Sequence, residues 1–455
     1  MEINNIKNKK SRFKASPLSG IFGILFRMEH IIKNYGELAT NPLRSDALDI
    51  LEAGYGAILT KEAIQNTVIK NDGVIQLKNQ NIRFSEYERI FIVAVGKCGV
   101  EAGKELEQIL GERITDGIVL DIRAGSFKKL RSFVGTHPYP SDQNVIAVKE
   151  ISAMISCLSE KDLVIAVISG GGSALLSLPH KITTEELTAI TKKLMDKSAP
   201  IRELNVVRKH LSEIQGGSLA KIAYPAKIIS LIFSDVPGND LETIASGPTV
   251  LDYSTKEDAE VILEKYDIRK ECGLPDLETM ETTKDEKYFA NVKNILVVTN
   301  DIALQAMAKK AEELGYSVSI ENDRVQGIAC ELGEEIAKKE LLSKTCLLYG
   351  GETTVNIVAN HGTGGRNQEF VLGGLPYLKE GTVLVGAASD GRDYSDVAGA
   401  IGDKQLFEKA KVSGFLPEDF LANNNSFEFF KKAGGHIHTG GTGANVADLY
   451  FILQG

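Results

Sequence analysis

The sequence predicts an α/β protein of two domains, on three observations. Apolar runs rich in Val and Ile end in glycine-rich turns, as strands buried on both faces of a helix-covered parallel sheet do. Segments of helical periodicity follow those turns. The alternation then restarts after a polar, irregular stretch from Asp267 to Lys293 that carries Pro275 and a charged KDEK. The expected architecture is two Rossmann-like α/β domains with mostly parallel sheets and an inter-domain cleft, at residues 36–275 and 276–455, after an extension over 1–35. A chain of 455 residues is long enough for two such cores.

With 43% hydrophobic and 25% charged residues the composition is globular, and a net charge of −9 gives no basic footprint for nucleic acid. An anionic substrate therefore needs local cations. Cys98, Cys157, Cys272, Cys330 and Cys346 are scattered without C-x-x-C or zinc-like spacing, which reads as reduced thiols of a cytoplasmic protein. The first 35 residues are basic and Asn/Lys-rich, and their apolar run IFGILF is too short for a membrane span or a secretory core. They are expected to be disordered or to precede a native start at Met28, in preference to a targeting presequence. No membrane association is expected, and a homo-oligomer is left open.

In chain order, SDALDILEAGYGAILTKEA from Ser45 is a helix with Ser45 as N-cap. Arg89 to Val95 is the first strand and runs into GKCGVEAGKEL, placing Lys97 at its carboxyl end, where ligands of open parallel sheets sit. A solvated lysine at a helix start has the same pattern. DGIVLDI and RSFVGTHPYP add strand and turn, and SDQNVIAVKEISAMISCL is a capped amphipathic helix. The central stretch is LVIAVISGGGSALL, Leu163 to Leu176. Gly170, Gly171 and Gly172 allow positive φ, and Ser173 is a candidate N-cap for the next helix. Amides converging there would attract phosphate, although a plain strand-to-helix turn looks alike.

Two amphipathic helices follow, TTEELTAITKKLMDK and IRELNVVRKHLSEIQGGSLAKIA, the second bringing Asn205, Arg208 and Lys209 within reach of a ligand or of solvent. KIISLIF from Lys227 is a buried strand that ends in SDVPGNDLETIASGPT, with Asp235 at its carboxyl end. That carboxylate suits a Mg²⁺ ligand, a general base or a turn cap. The second half repeats strand and helix through KNILVVT, NDIALQAMAKKAEELG and YSVSI, then pairs TCLLYGG with TTVNIV around Gly350, Gly351 and Glu352. HGTGGRNQEF delivers Arg366 from a glycine-rich loop into a helix start, where its planar fork fits carboxylate or phosphate. VLVGAASDGRDYSDVAGA carries Asp390, Asp393 and Asp396, residue types that commonly cap turns, and HIHTGGTGANVADLY places a Thr/Gly loop before an expected helix.

The inventory of glycine-rich strand ends, one lysine, one arginine and acidic residues describes a site for a phosphorylated nucleotide and a small anion. The P-loop G-x-x-x-x-G-K-[ST], the dinucleotide G-x-G-x-x-G and the kinase HRD and DFG signatures are all missing. Eight ordered blocks do carry a resemblance: VAVGKCG, GTHPYPSDQN, VISGGGSALL, LNVVRKHLSEIQGGSLA, SDVPGNDLETIASGPT, GGETTVNI, GGRNQEF and HTGGTGANVADL. From about Asp46 to the C-terminus the chain resembles the glycerate 2-kinase family with its C-terminal MOFRL domain. That resemblance implies ATP- and divalent-cation-dependent phosphorylation of D-glycerate to 2-phosphoglycerate in the cleft between the domains. By the matching motifs, Lys97 takes the place of the family's catalytic lysine, Arg366 of its cleft-facing arginine and Asp235 of its acidic residue, with Asp240 completing that run. The Gly170 to Ser173 loop keeps its pattern. HTGGTGAN departs at Gly441 from the family's HTGPTGTN, losing a proline and a threonine.

Phosphoryl transfer demands positioning and charge neutralisation more than covalent chemistry. Arg366 or Arg208 is expected to hold the glycerate carboxylate, Lys97 to neutralise the transferring group, and the Gly170, Gly171, Gly172 and Ser173 amides to cradle phosphate oxygens. Asp235 is expected to ligand Mg²⁺ or to accept the hydroxyl proton. Three rival readings stand beside this one. An NAD(P)H-dependent hydroxypyruvate reductase lacks the dinucleotide fingerprint, a nucleotide sensor would bind ATP without product, and a kinase for another small sugar acid would differ only in pocket shape.

Overall fold

The computed structural model describes residues 30–71, 74–77, 80–236 and 238–455, so most of the 1–35 extension, including Met28, lies outside the described residues. Ile31 to Gly455 forms one compact unit. Its first sheet contains β1 (Arg89–Val95), β2 (Ile114–Asp121), β3 (Arg131–Val134), β4 (Asp162–Ile168), β5 (Lys227–Phe233) and β6 (Val292–Val298). They pair in the order β3-β2-β1-β4-β5-β6, every pair parallel. This is the doubly wound order whose direction reverses between β1 and β4, where crevices open at the carboxyl ends of strands. Every residue of β4 is buried, as its unbroken apolar run requires.

The second sheet contains β7 (Ser317–Val325), β8 (Thr345–Gly351), β9 (Thr382–Ala388), β10 (Gly399–Asp403), β11 (His436–Ile437) and β12 (Asp448–Gln454), in the order β7-β8-β12-β9-β10-β11. Here the structure departs from the expected parallel pattern. Only β7 and β8 pair parallel, and the other four pairings are antiparallel. The cause is the C-terminal segment. Read as the start of a helix after a Thr/Gly loop, it is a buried strand inserted between β8 and β9, because Leu449 to Leu453 offers an apolar surface on both faces. The expected TTVNIV strand is likewise absent, apart from a single bridge between Thr354 and Ile328.

The segment KNILVVT becomes β6 and pairs with β5, so the first sheet draws its last strand from beyond residue 275. Apolar patterning marks a strand without naming its partner. The helix Pro42–Ile58 packs on the helix Asn300–Glu313 and on β9 and β12. A continuous core thus includes Ile92 and Val119 of the first sheet with Leu348, Val385 and Phe451 of the second. Ahead of that helix, Lys33 N–H donates to the His438 carbonyl at 2.7 Å and Asn34 Nδ2 to the His436 carbonyl at 2.9 Å, holding part of the predicted extension against β11. No helix among the described residues is long and apolar enough to cross a membrane, and the five cysteines are unpaired.

Candidate active site

Lys97, the Gly170–Ser173 turn and Asp235 follow β1, β4 and β5, and so collect at the carboxyl ends of three adjacent parallel strands. The Lys97 amide donates to the Gly170 carbonyl at 3.0 Å, joining the turns on either side of the switch point. Gly171 has φ +83°, and a Cβ there would lie 3.1 Å from the His137 ring and 3.3 Å from the Lys97 side chain. A Cβ on Gly170 would lie 2.6 Å from Asp235 Oδ2. The glycines therefore let the backbone approach the groups that flank it, as well as supplying the turn.

Two features of this loop differ from the sequence reading. The helix after it is a single turn, Gly172–Leu175, capped by Gly171 and not by Ser173. One turn contributes little dipole, so amides matter more than helix polarity here. The Gly172 amide is used within the turn, donating to the Ser169 carbonyl at 3.0 Å, while the Gly170 and Gly171 amides have no acceptor among the described residues. Ser173 Oγ instead accepts from Ser246 Oγ at 3.1 Å. Ala245 and Ser246 both have positive φ, at 51° and 58°, and the Ala245 methyl group stands 2.6 Å from where a Cβ on Gly172 would be. Non-glycine residues held in that region store strain and are typical of functional sites.

The cations divide into those with carboxylate partners and those without. Lys97 is exposed and makes no ion pair among the described residues. Arg208 is half-buried, also without a carboxylate partner among them, and burial pulls its pKa down. Both charges act on His137, whose imidazole is lowered by burial first, then by Lys97 and Arg208. Sequence reasoning missed His137, whose only signal was its position after β3. Lys209, grouped with Arg208 from the sequence, is instead sealed against Asp252 at 2.5 Å and faces Glu242 at 3.7 Å. Asn205 turns to Ser246 Oγ at 3.4 Å. Of the three, Arg208 alone combines a positive charge with the absence of a carboxylate partner.

The Asp235 carboxylate makes no hydrogen bond or ion pair with another residue among the described residues. Burial raises its carboxyl above the ordinary range, its own backbone N–H and Lys97 draw it back, and Glu352 adds to the rise. That residue comes from the second sheet. Glu352 follows β8, Asp448 begins β12 opposite Gly351 and Ala388, and Asp390 follows β9, so three carboxylates gather at one end of the sheet. Arg366, first residue of the helix Arg366–Gly374, fills that end. Its Nε donates to Asp448 Oδ2 and its Nη1 to Glu352 Oε1, each at 2.5 Å. Burial opposes the guanidinium, but Asp448 and Glu352 outweigh it and raise its pKa. Asp390 is raised by burial and by Asp448, and lowered by both Arg366 and Lys97. One carboxylate thus feels the cations of both sheets, so their strand ends face a common space. Asp393, expected to be a turn cap, accepts from the Asn367 and Gln368 amides and fixes the start of the Arg366 helix.

A cavity of about 800 Å³ opens beside Arg366 and Glu352, with Val355, Ile357, Glu369 and Tyr394 in its wall. Its size lies in the range of small-molecule and cofactor sites. No group of three or more His, Cys, Asp or Glu among the described residues is placed to hold a metal by itself.

Two family models match the chain: a domain of unknown function, DUF4147, over residues 46–281, and the MOFRL family over residues 345–448. A glycerate 2-kinase of Pyrococcus horikoshii is 36% identical over 416 residues, 86% of this chain and 92% of that protein. A D-glycerate 2-kinase of Thermotoga maritima is 33% identical, covering 90% and 98%, and a solved glycerate kinase structure from that organism superposes with a TM-score of 0.80 at 31% identity, covering 90% of this chain and 99% of that one. A protein of Agrobacterium vitis provisionally named hydroxypyruvate reductase is 35% identical, covering 81% and 87%. With both models and whole-length relatives in agreement, the chain belongs to the glycerate 2-kinase family, in which a DUF4147 domain is joined to a MOFRL domain.

Proposed function

We propose that this chain transfers the γ-phosphoryl group of ATP to the 2-hydroxyl of D-glycerate. The observation that supports the reading is the pair of cations without carboxylate partners among the described residues, Lys97 and Arg208, which both act on His137, with Lys97 beside Gly171 at the carboxyl ends of β1 and β4. A pocket of that kind suits a small anion. Arg208 holds the glycerate carboxylate, because a desolvated guanidinium without a protein partner gains most from a bidentate one. The hydroxyl then lies toward Asp235, whose carboxylate is held by no other residue among the described residues and whose raised pKa suits it to accept the proton. Lys97 meets the phosphoryl group as it passes between donor and acceptor, and the Gly170 and Gly171 amides take up its oxygens.

ATP enters from the other sheet, with its nucleoside end in the 800 Å³ cavity and its phosphates running past Arg366. The donor set fits a divalent cation such as Mg²⁺, which takes one or two carboxylates together with phosphate oxygens and water. Asp390, whose carboxylate accepts only from the Arg392 amide among the described residues, and Glu352 are the residues that would hold it, with Asp235 within electrostatic reach of Glu352. Such an ion supplies charge neutralisation on the donor phosphates. Incubation with D-glycerate and Mg-ATP, followed by ³¹P NMR, tests the reading. The expected product is 2-phosphoglycerate. A 3-phosphoglycerate signal would overturn the regiochemistry, and no phosphorylated acid would overturn the kinase reading. Oxidation of NADH by hydroxypyruvate is expected to be absent.

A further inference from the structure

Glu369 lies three residues after Arg366 on the same helix, and both side chains line the large cavity. The residue is only 4% exposed, yet no cation pairs with it among the described residues. Asn424 Nδ2 donates to its Oε1 at 3.0 Å, and Oε2 has no donor among those residues. Burial raises its pKa, Asn424 draws it back and the like charge of Asp393 raises it further. Isolation of this kind is costly, because a buried carboxylate loses hydration that one amide cannot replace.

Local structure does not require the charge. Asn424 is already anchored, accepting from the Val358 amide at 2.8 Å and donating to the Asn356 carbonyl at 3.1 Å. Much of the rest of the wall is apolar surface, interrupted by polar side chains such as Gln326, Thr353 and His361. Val355 and Ile357 lie on it, and Tyr394 presents a ring that is 78% exposed, with the Arg366 guanidinium 5.8 Å from its centroid. A mostly apolar pocket with a few placed polar groups is how proteins orient and discriminate small ligands.

We infer that Glu369 is the specificity-determining acceptor for the nucleoside end of the phosphoryl donor, with Oε2 taking a hydrogen bond from an N–H or O–H of the base or ribose. This rests on the reading that ATP occupies the cavity with its phosphates toward Arg366. The donor is then either the 6-amino group of adenine or a ribose hydroxyl, and the same carboxylate chemistry serves both.

Unmutated protein is assayed with saturating D-glycerate and Mg²⁺, using ATP, purine riboside triphosphate, 2′-deoxy-ATP and 3′-deoxy-ATP. Dissociation constants for the same nucleotides come from calorimetry. The analogue that lacks the donor should lose at least about tenfold in kcat/KM and in affinity, because a buried acceptor is then left unpaired. Loss on purine riboside triphosphate assigns the base, and loss on a deoxy analogue assigns the ribose. In Glu369→Gln the Asn424 contact keeps an oxygen, so the cavity-facing atom becomes an N–H₂ donor. If the base is read, preference should shift from ATP toward ITP, whose 6-oxo group accepts, by about 100-fold. The KM for D-glycerate should hold.

Analogues all within threefold of ATP, together with an unchanged ATP/ITP ratio in the folded variant, would overturn the inference while leaving the kinase reading intact. Absence of nucleotide-dependent phosphorylation would remove the kinase reading, and calorimetry would still report whether Glu369 discriminates among nucleotides.

Discussion

Arg208→Met separates a residue kept for a ligand from one kept for the fold. The guanidinium has no carboxylate partner among the described residues, and it lies among Tyr139, Ser173 and Leu187 with burial pulling its pKa down. Without ligand, that charge is a net cost to stability, which an uncharged side chain of similar length removes. Methionine keeps the apolar stem and loses no ion pair, so the thermal midpoint should stay level or rise. One kcal/mol is worth a degree or two in a protein of this size, by extension of the roughly 2–4 °C seen in smaller domains. Substrate binding moves the other way. Removing one partner of a desolvated charge pair costs about 2–5 kcal/mol, and at roughly 1.4 kcal/mol per decade the KM for D-glycerate should rise by about 30-fold or more. Initial rates at varied glycerate and fixed ATP, then the reverse, report the two KM values, and differential scanning fluorimetry reports the midpoint. A fall of several degrees with an unchanged KM for glycerate would refute the reasoning and make Arg208 a structural cation.

Lys97→Ala should lower kcat by about 10²–10³, the loss seen when one charge-stabilising donor is removed, with partial recovery in Lys97→Arg; turnover within threefold of wild type would exclude Lys97 from the chemistry. Asp235 must be ionised to accept a proton and its pKa is raised, so kcat should fall with decreasing pH through a value above that of an ordinary aspartate. Asp235→Asn should lose about 10²–10⁴ of activity and that acid limb together, and a limb surviving in the variant would assign it to another group. His436 is 8% exposed and packs on Phe427, and burial lowers its pKa to about 4, below the unfolded value of about 6.5. The unfolded chain therefore takes up the proton first on acidification, and stability is lost between about pH 6.5 and 4. Asp393 works in the opposite direction, because its folded pKa is raised to about 6 and protonation there favours the native state. The urea midpoint of wild type should accordingly fall relative to that of His436→Phe as pH drops from 7 to 4.5, since only wild type pays the imidazole penalty; a constant difference would remove His436 from the acid response.

The strand ends of the first sheet were legible because one local pattern encodes both structure and place. An apolar run that stops at glycine must be a buried strand, and whatever follows it stands at the carboxyl edge, as Lys97, Gly170 and Asp235 do. Pairing was not legible. β6 has the same alternation as a strand beginning a new sheet, and β12 has the apolar content of either a helix or a strand. His137 and Glu352 were unreadable as site residues for a related reason. Each reaches the site by way of a neighbouring strand, β3 or β8, and no spacing along the chain records that adjacency.

Charge allocation between the sheets bears on how Arg366 can act. At the second sheet one guanidinium serves Asp448 and Glu352, with Asp390 close by, so this end of the sheet carries an excess of negative charge. A triphosphate approaching it, as proposed, would meet repulsion unless a divalent cation came with it, whereas the first sheet offers Lys97 and Arg208 with no carboxylate partner among the described residues. The two contacts of Arg366 are also unequal. Asp448 has a side chain 1% exposed and is further held by Tyr450 Oη at 2.9 Å, while the Glu352 side chain is 48% exposed. Releasing Asp448 would strand a buried carboxylate, but Glu352 can exchange its arginine for solvent or a metal ion at little cost. Arg366 is therefore oriented by one fixed partner and freed by one exchangeable partner, an arrangement that, under the proposed reaction, would let the same guanidinium keep its hold on Asp448 while turning part of its fork to the donor phosphates.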